Sequence, residues 1–465
     1  MPTTIQDYLD ALKGKKVAVL GIGVSNTPLI HMLLQAGAVV TACDKRGRTD
    51  FGGQIEELEH LGAKVCLGED YLDHLTGQNV IFRTPGLRPD EPRILAAVTA
   101  GSLLTSEMEV FFQVCPCPII GVTGSDGKTT TTTIIAQLLK AAGHTVYLGG
   151  NIGKPLLPEV ALMKPTDFAV VELSSFQLMT MDLSPHIAVV TNLAPNHLDV
   201  HRSMEEYISA KKNIFLHQNS KDRVILNADN SITRSFVSSA PGAVTCFSRQ
   251  EEPAGDSVFF RDGAIWLREQ GSDRLILQRK DILLPGDHNV ENYMAAIAAV
   301  REFVPDKTIR TFASQFNGVE HRIELVRTLK GVRYYNDSIA SSPTRTTAGL
   351  RCFPEKVILI AGGYDKHIPF DSFGSVIVDH VKRLILTGTT SPKIRKAVES
   401  APGYSITTPV IEEYPTFREA VEAAHRAATP GDVVLLSPAC ASFDQFKNFM
   451  ERGNTFKKIV QELED

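Results

Sequence analysis

Along the chain, short apolar runs that end in glycine or a small polar residue alternate with stretches whose apolar positions recur at helical spacing. KKVAVLG, AVVTACD, AKVCLG and NVIFRTPG read as buried strands, and PLIHMLLQAG between the first two reads as a helix. Strand–helix alternation of this kind predicts a parallel sheet covered by helices. A second block starts near PIIGVTG, with strands at DFAVVEL and HIAVVTN. From Arg223 to about Asp281 the texture shifts to short strands with turn signals (VILNADN, VTCFSR, VFFRDGAIWL), which predicts an antiparallel appendage. NVENYMAAIAAV closes that block as a helix, and from about Val319 the runs KVILIAGG, VKRLILTG and DVVLLSPA repeat the first pattern.

Composition adds limits rather than detail. At 465 residues the chain exceeds one ordinary core. A net charge of -5 argues against a general nucleic-acid binder, which would show a basic excess. No stretch reaches the ~18 apolar residues of a membrane span, and MPTTIQDYLDALKGKK lacks a signal core. The seven cysteines show no zinc or disulfide spacing. Cys115 and Cys117, the closest pair, lie in a Pro-interrupted apolar run and read as small core residues. A cytoplasmic protein with no nucleic-acid or membrane partner is expected. No partner-binding segment stands out, so a monomer without an obligate protein partner is the expectation.

Chemistry enters at GVTGSDGKTTTT, residues 121–132. A phosphate loop reads G-x-x-x-x-G-K-[ST], which fits Gly127, Lys128 and Thr129 but asks for a leading glycine at Val122, whereas glycines stand at Gly121 and Gly124. The device itself is present: a buried strand, a glycine turn, and a helix start whose N–H groups face outward beside a lysine. The alternative is a tight turn with a solvated lysine. Thr129 is placed to put a hydroxyl on Mg²⁺, and Glu172, ending DFAVVE, supplies a downstream carboxylate. A strand-end acid is equally often only a solubilising edge residue. With this loop the expected architecture is α/β in three domains: Rossmann-like over 1–107, P-loop ATPase-like over 108–318 with a mostly parallel sheet and the small antiparallel appendage, and Rossmann-like over 319–465.

TNLAPNHLDVHRSMEEYISAKKNIF places His197, Asp199 and His201 in a loop, then Ser203 and Glu206 as a capping box. On the helix that follows, Tyr207, Ile208, Lys211, Ile214 and Phe215 form one stripe, apolar except for Lys211. Lys212 points away. Burial would lower the Lys211 amine's pKa and make it nucleophilic; the alternative is a stem that snorkels its charge into water.

These stretches together resemble the ATP-dependent Mur ligases of peptidoglycan synthesis. GVTGSDGKTTTT is similar to that family's loop, whose leading glycine stands one place earlier than usual. GGNIG, ELSSFQL, NHLDVH, AKKNIF, GDHNVEN, the His321–Arg322 pair and NDS match as well. SPACASFDQFKNFMERG resembles the branch of the family that adds D-glutamate. The resemblance implies that ATP activates the carboxylate of UDP-N-acetylmuramoyl-L-alanine as an acyl phosphate, which the D-glutamate amine then attacks.

It also implies roles. Gly124, Ser125, Asp126, Gly127, Lys128, Thr129 and Thr130 would cradle ATP, and Asn289, Asn292, Arg322 and Asp337 would hold its adenine, phosphate and ribose parts. Thr129 and Glu172 would bind one Mg²⁺ and His197 with Lys211 a second, Lys211 being carbamylated in the family. Lys128, Glu172, His197 and Lys211 would thus be the catalytic set. Asn151 and Ser174 would contact the muramoyl-alanine end, and Lys366, Ser442, Phe449 and Ser341 the incoming amino acid. Two departures stand out: family loops read T-N-G-K where this chain has Ser125 and Asp126, and the lysine after N-D-S is Ile339 here.

VAVLGIGVSN followed by Asp44 partly matches the dinucleotide fingerprint, with Asn26 in place of its third glycine. An NAD site, another nucleotide site and a plain βα turn all fit these residues. In the family this domain binds the uridine diphosphate, so Ser25 and Asn26 would lie at the diphosphate, Asp44 and Arg46 near the uracil, and Thr84, Pro85 and Gly86 on a second wall. Rival readings are a related Mur or folate-polyglutamylating ligase for another amino acid, an NAD-dependent oxidoreductase, and a non-enzymatic ATP switch.

Overall fold

Every apolar run named above forms a strand in the computed structural model, which describes residues 4–195, 201–366 and 368–464. The chain divides into two compact units, Met1–Asp281 with Val290–Phe312, and Ile282–Asn289 with Ala313–Asp465.

The first unit contains two sheets. One is five-stranded and parallel, in the order Lys64–Leu67, Val39–Asp44, Lys16–Leu20, Val80–Phe82, Leu103–Thr105. The chain leaves Lys16–Leu20 toward one edge and returns to its other side at Val80–Phe82. The loops that follow these two strands therefore open on a topological switch point, where ligands bind in open α/β sheets. The other sheet has nine strands, in the order Ser272–Gln278, Ala264–Glu269, Ser257–Arg261, Ala243–Ser248, Arg223–Asn227, Ile187–Val190, Ile119–Thr123, Phe168–Glu172, Val146–Gly150. Its register sets Val122 beside Glu172 and Thr123 beside Val190, so the ends of three strands surround the phosphate loop.

The expected antiparallel appendage is smaller than its sequence texture suggests. Arg223–Asn227, Ala243–Ser248 and Ser257–Arg261 pair in parallel and simply extend the central sheet. The helical turns Ser231–Arg234 and Ser235–Ser239 form a crossover that short strands and polar turns do not advertise. Only the last two strands reverse. Each reversal is a two-residue turn with positive φ at both positions, Asp262–Gly263 and Gln270–Gly271, the geometry that suits strand twist.

The second unit holds a six-stranded sheet in the order Glu324–Leu329, Val332–Asn336, Val433–Leu436, Val357–Ala361, Val381–Leu386, Val410–Glu413. Its first strand alone is antiparallel. Three α/β sheets in series is the architecture expected. Among the described residues no helix is long and apolar enough to cross a membrane.

Buried polar groups mark where the first unit is tuned. Thr132 and Thr133, poor helix formers in the helix Lys128–Ala141, donate to the Lys128 and Thr129 carbonyls at 2.7 and 2.8 Å. Glu107, in the first turn of the helix Glu107–Val114, is buried and accepts from the Leu157 N–H at 3.0 Å. Burial pushes its carboxyl up to about 7. A folded-state pKa above the unfolded value means that stability falls as pH rises from about 4 to about 7, and stays lower beyond. Glu107→Gln keeps the acceptor and removes the charge. It should therefore raise stability at pH 8 by about 3 kcal/mol and leave it unchanged near pH 4. Denaturant melts of both proteins across that range test this; a difference that does not depend on pH would exclude it.

Candidate active site

The strand Ile119–Thr123 is buried throughout and delivers the loop Gly124–Gly127 to the first turn of the helix Lys128–Ala141. Gly127 ends the loop at φ +75, and a Cβ there would collide with Asn292 Oδ1, so only glycine closes this turn. Lys128 Nζ donates to the Gly124 and Ser125 carbonyls at 3.0 and 2.9 Å. Thr131 Oγ1 donates to Asn292 Oδ1 at 3.2 Å, which ties the helix to Asn292.

The two departures in the loop have separate explanations. Ser125 is buried, with its hydroxyl against Tyr207 Oη at 2.9 Å and the Ala194 carbonyl at 3.0 Å. Asp126 is exposed, and among the described residues its backbone makes the hydrogen bonds: its N–H donates to Asn192 Oδ1 at 2.9 Å and its carbonyl accepts from Thr191 Oγ1 at 2.6 Å. Its charge is felt by Lys211 and Tyr207 behind the loop. Thr191 and Asn192 were not singled out in the sequence. The available signal was a polar pair directly after the apolar run HIAVV.

Glu172 ends the neighbouring strand at 2% exposure. Thr129 Oγ1 donates to its Oε2 at 2.7 Å and Asn151 Nδ2 to its Oε1 at 2.8 Å. Gly150, at φ +94, lets the chain lie against the Glu172 backbone, where a Cβ would clash, and so brings Asn151 within reach. The Thr129 hydroxyl and the Glu172 carboxylate offer hard oxygens at one point. That donor set suits Mg²⁺, with phosphate oxygens and waters completing its shell.

Lys211 lies on the helix Met204–Leu216 at 2% exposure. Its Nζ donates to Thr123 Oγ1 at 3.1 Å and to the Gly124 carbonyl at 2.9 Å, and sits 5.0 Å above the Tyr207 ring. No carboxylate hydrogen-bonds it among the described residues. Burial, reinforced by the positive charge of Lys128, drives its pKa well below that of an ordinary lysine. Lys212 is half-buried over Phe236, so the stripe places the two lysines on different faces. The capping box forms only in part. Ser203 accepts from the Glu206 N–H at 3.3 Å, but the Glu206 carboxylate turns to Arg88 (2.7 Å) and to the Arg202 N–H (2.6 Å). The Arg88 fork holds that carboxyl down at about 2. His197 and Asp199 lie outside the described residues. His201 is buried, with Nε2 2.8 Å from Ser175 Oγ and its ring stacked on Phe176.

A second group gathers at the switch point of the five-stranded sheet. Asp44 accepts from the Ile22 N–H at 2.8 Å and from a two-pronged Arg46 at 2.8 and 3.0 Å. Burial opposes its charge, but these bonds outweigh burial and hold the carboxyl below its usual range. Both Asp44 oxygens are taken up, so it is not presented to a ribose hydroxyl as a dinucleotide fingerprint requires. Asn26 turns inward and donates to the Leu20 and Gly21 carbonyls, while Ser25 is exposed at the helix start. Opposite them, Thr84, Pro85 and Gly86 form a loop braced by Arg83, which is 2% exposed. Arg83 donates to the Pro85 and Leu87 carbonyls (3.2 and 2.6 Å) and to the Phe176 carbonyl and Thr180 Oγ1 (both 3.1 Å). It thereby joins this loop to the turn that begins at Ser174, whose hydroxyl caps the helix Ser175–Leu178. Arg83 was not anticipated; its signal was an arginine directly after the apolar run VIF.

In the second unit, Asp337 is buried and accepts from Ser437 Oγ at 2.7 Å. Burial pushes it up to about 7, against the pull of Ser437 and Arg322. Asn289 donates to the Pro285 carbonyl at 2.6 Å. Ser442 is buried, Phe449 opens the helix Phe449–Glu462 with its ring edge-on to His321, and Lys366 is exposed. Ser341 is half-buried with its N–H on the Ile339 carbonyl. That carbonyl also accepts from Arg345 at 3.3 Å, so the loop that lacks a lysine at Ile339 has a cation nearby.

A phosphate loop, a strand-end carboxylate on its threonine, and a buried lysine behind it define a nucleotide-dependent enzyme of one class. Residues 15–106 match the Mur ligase MurD-like N-terminal domain, 122–300 the Mur ligase middle domain, and 321–440 the Mur ligase glutamate ligase domain. The chain belongs to the Mur ligase family. It is 54% identical over 469 residues to the UDP-N-acetylmuramoylalanine--D-glutamate ligase of Acetivibrio thermocellus, and 50% identical over 465 residues to that of Ruminiclostridium cellulolyticum, covering 100% of each chain. Solved structures share the fold. UDP-N-acetylmuramate-alanine ligase from Thermotoga maritima aligns at 17% identity and TM-score 0.56, over 96% of this chain and 99% of that one. A UDP-N-acetylmuramoyl-L-alanyl-D-glutamate--2,6-diaminopimelate ligase aligns at 19% and 0.57, over 97% and 93%.

Proposed function

We propose that this chain is an ATP-dependent amide ligase of peptidoglycan precursor synthesis, which joins D-glutamate to UDP-N-acetylmuramoyl-L-alanine in the cytoplasm and acts as a monomer. The observation that carries the reading is Thr129 on Glu172 at 2.7 Å with the Lys211 amine buried behind the same loop. Lys128 leaves the loop carbonyls to neutralise the ATP phosphates as the substrate carboxylate attacks. Glu172 and Thr129 would hold one Mg²⁺, and Lys211, as a carbamate, with His197 would hold a second. These ions supply charge neutralisation at the transferring phosphoryl group. A buried amine with a depressed pKa is the form that adds CO₂, one N–H proton passing to solvent, and its carbamate would place a negative charge beside the loop. The products of this first transfer are ADP and an acyl phosphate.

The D-glutamate amine then attacks the activated carbonyl, an amide bond forms, and phosphate leaves. No covalent enzyme intermediate is required, so catalysis rests on positioning and charge. Lys366, Ser442, Phe449 and Ser341 are assigned to the amino acid, and Asn151 and Ser174 to the muramoyl-alanine end. Asn292, Asn289, Arg322 and Asp337 are assigned to ATP. Asp44 and Arg46, with Ser25, Asn26 and Thr84–Gly86, are assigned to the uridine diphosphate. The domains are taken as 1–107, 108–318 and 319–465.

Phosphate release tests the whole reading. With ATP, Mg²⁺ and UDP-N-acetylmuramoyl-L-alanine present, sustained release should require D-glutamate and not L-glutamate, L-lysine or diaminopimelate. Release indifferent to the amino acid would leave an ATPase or a ligase of other specificity.

A further inference from the structure

Cys115 and Cys117 flank a single proline between the helix Glu107–Val114 and the strand Ile119–Thr123. As their sequence context predicts, Cys117 lies in the core and Cys115 packs against it. Their Sγ atoms lie 3.5 Å apart, and Cys115 Sγ is also 3.5 Å from the Cys117 carbonyl. Access differs between them: Cys115 is half-buried, whereas Cys117 is 1% exposed. Either thiol can donate in this contact; their mutual hydrogen bond holds the Cys115 pKa down, while the same bond and burial push Cys117 up. Burial pushes up each of the other five thiols, Cys43, Cys66, Cys246, Cys352 and Cys440. A half-buried cysteine touching a fully shielded one is the arrangement of an attacking and a resolving cysteine.

We propose that Cys115 and Cys117 form a dithiol–disulfide couple that reacts with small-molecule disulfides, Cys115 attacking and Cys117 resolving. The Cys115 thiolate attacks one sulfur of the reagent, its S–S bond breaks, and one thiolate leaves. The Cys117 thiol then loses its proton to solvent and attacks Cys115 Sγ, expelling the second thiolate. Two protein thiols are oxidised, one external disulfide is reduced to two thiols, and the released protons balance the leaving thiolates. The sulfurs stand 3.5 Å apart, against about 2.05 Å in a disulfide, and one residue separates the two cysteines. Neither cysteine belongs to the proposed ligase machinery, so this inference stands or falls independently of it.

Trypsin releases Ile94–Lys128 with these two as its only cysteines. The full-length protein, treated while folded with oxidised glutathione and then alkylated under denaturation, should yield this peptide two hydrogens lighter than its reduced form. It should carry neither alkyl group nor glutathione, and dithiothreitol should reverse the change. Cys117→Ser should stop at one stable glutathione on Cys115, and Cys115→Ser should leave Cys117 unmodified. Phenylarsine oxide provides a readout on the unmutated protein. One arsenic should bridge both thiols in the same peptide, its oxygen leaving as water. A stable glutathione adduct on unmutated Cys115, oxidation confined to other cysteines, or arsenic bound elsewhere would each overturn the proposal.

Discussion

Lys211→Ala lowers kcat for phosphate release by about 10³-fold or more, whereas Lys212→Ala, one residue on, leaves it within about twofold. The asymmetry follows from the helix Met204–Leu216, which presents Lys211 to Thr123 Oγ1 and the Gly124 carbonyl and turns Lys212 toward Phe236. The alanine removes both the amine that would take up CO₂ and the negative charge its carbamate would bring. Tyr207 still anchors the helix through Ser125, so thermal melts should show a folded protein. Equal losses in the two variants, or an active Lys211→Ala, would end the carbamate proposal.

Glu172→Gln should weaken the reaction in a different way. The amide keeps the shape of the side chain and an acceptor for Asn151 but loses the charge opposite Thr129. Turnover at fixed Mg²⁺ should fall by about 10²-fold or more, and the Mg²⁺ concentration for half-maximal rate should rise by about tenfold. An unchanged Mg²⁺ dependence would show that Glu172 only braces Thr129 and Asn151.

The parts legible in the sequence were those written in local patterns. The strand–loop–helix around Gly127 is contiguous, and the stripe from Tyr207 to Phe215 set Lys211 on the buried face by spacing alone. What escaped depended on distant partners. Asp126 reads as a charge beside a triphosphate, and its exposed position is fixed by Asn192, 66 positions on in the loop after a strand, which holds its backbone. Glu206 reads as half of a capping box, but Arg88, 118 positions away, draws its carboxylate off. Arg83 reads as the polar end of a strand and proves to be a buried clamp, because its partners Phe176 and Thr180 belong to the short helix Ser175–Leu178 and the bend after it, 93 and 97 positions on. The parallel strands after Arg223 were misread because pairing direction is set by the crossover and not by strand composition.

One oxygen in the phosphate loop serves two lysines: the Gly124 carbonyl accepts from Lys128 Nζ at 3.0 Å and from Lys211 Nζ at 2.9 Å. On the proposed reading, ATP draws Lys128 away from it, and addition of CO₂ leaves Lys211 Nζ a single N–H for Thr123 Oγ1 and this carbonyl, where the amine serves both. Nucleotide and carbon dioxide then bind to a single shared balance of charge. Thermodynamic reciprocity fixes the result: whatever factor ATP imposes on the affinity of Lys211 for CO₂, dissolved CO₂ imposes on the affinity for ATP. Dissolved gas would thereby act as a third variable in the enzyme's saturation by nucleotide, beside the concentrations of ATP and Mg²⁺.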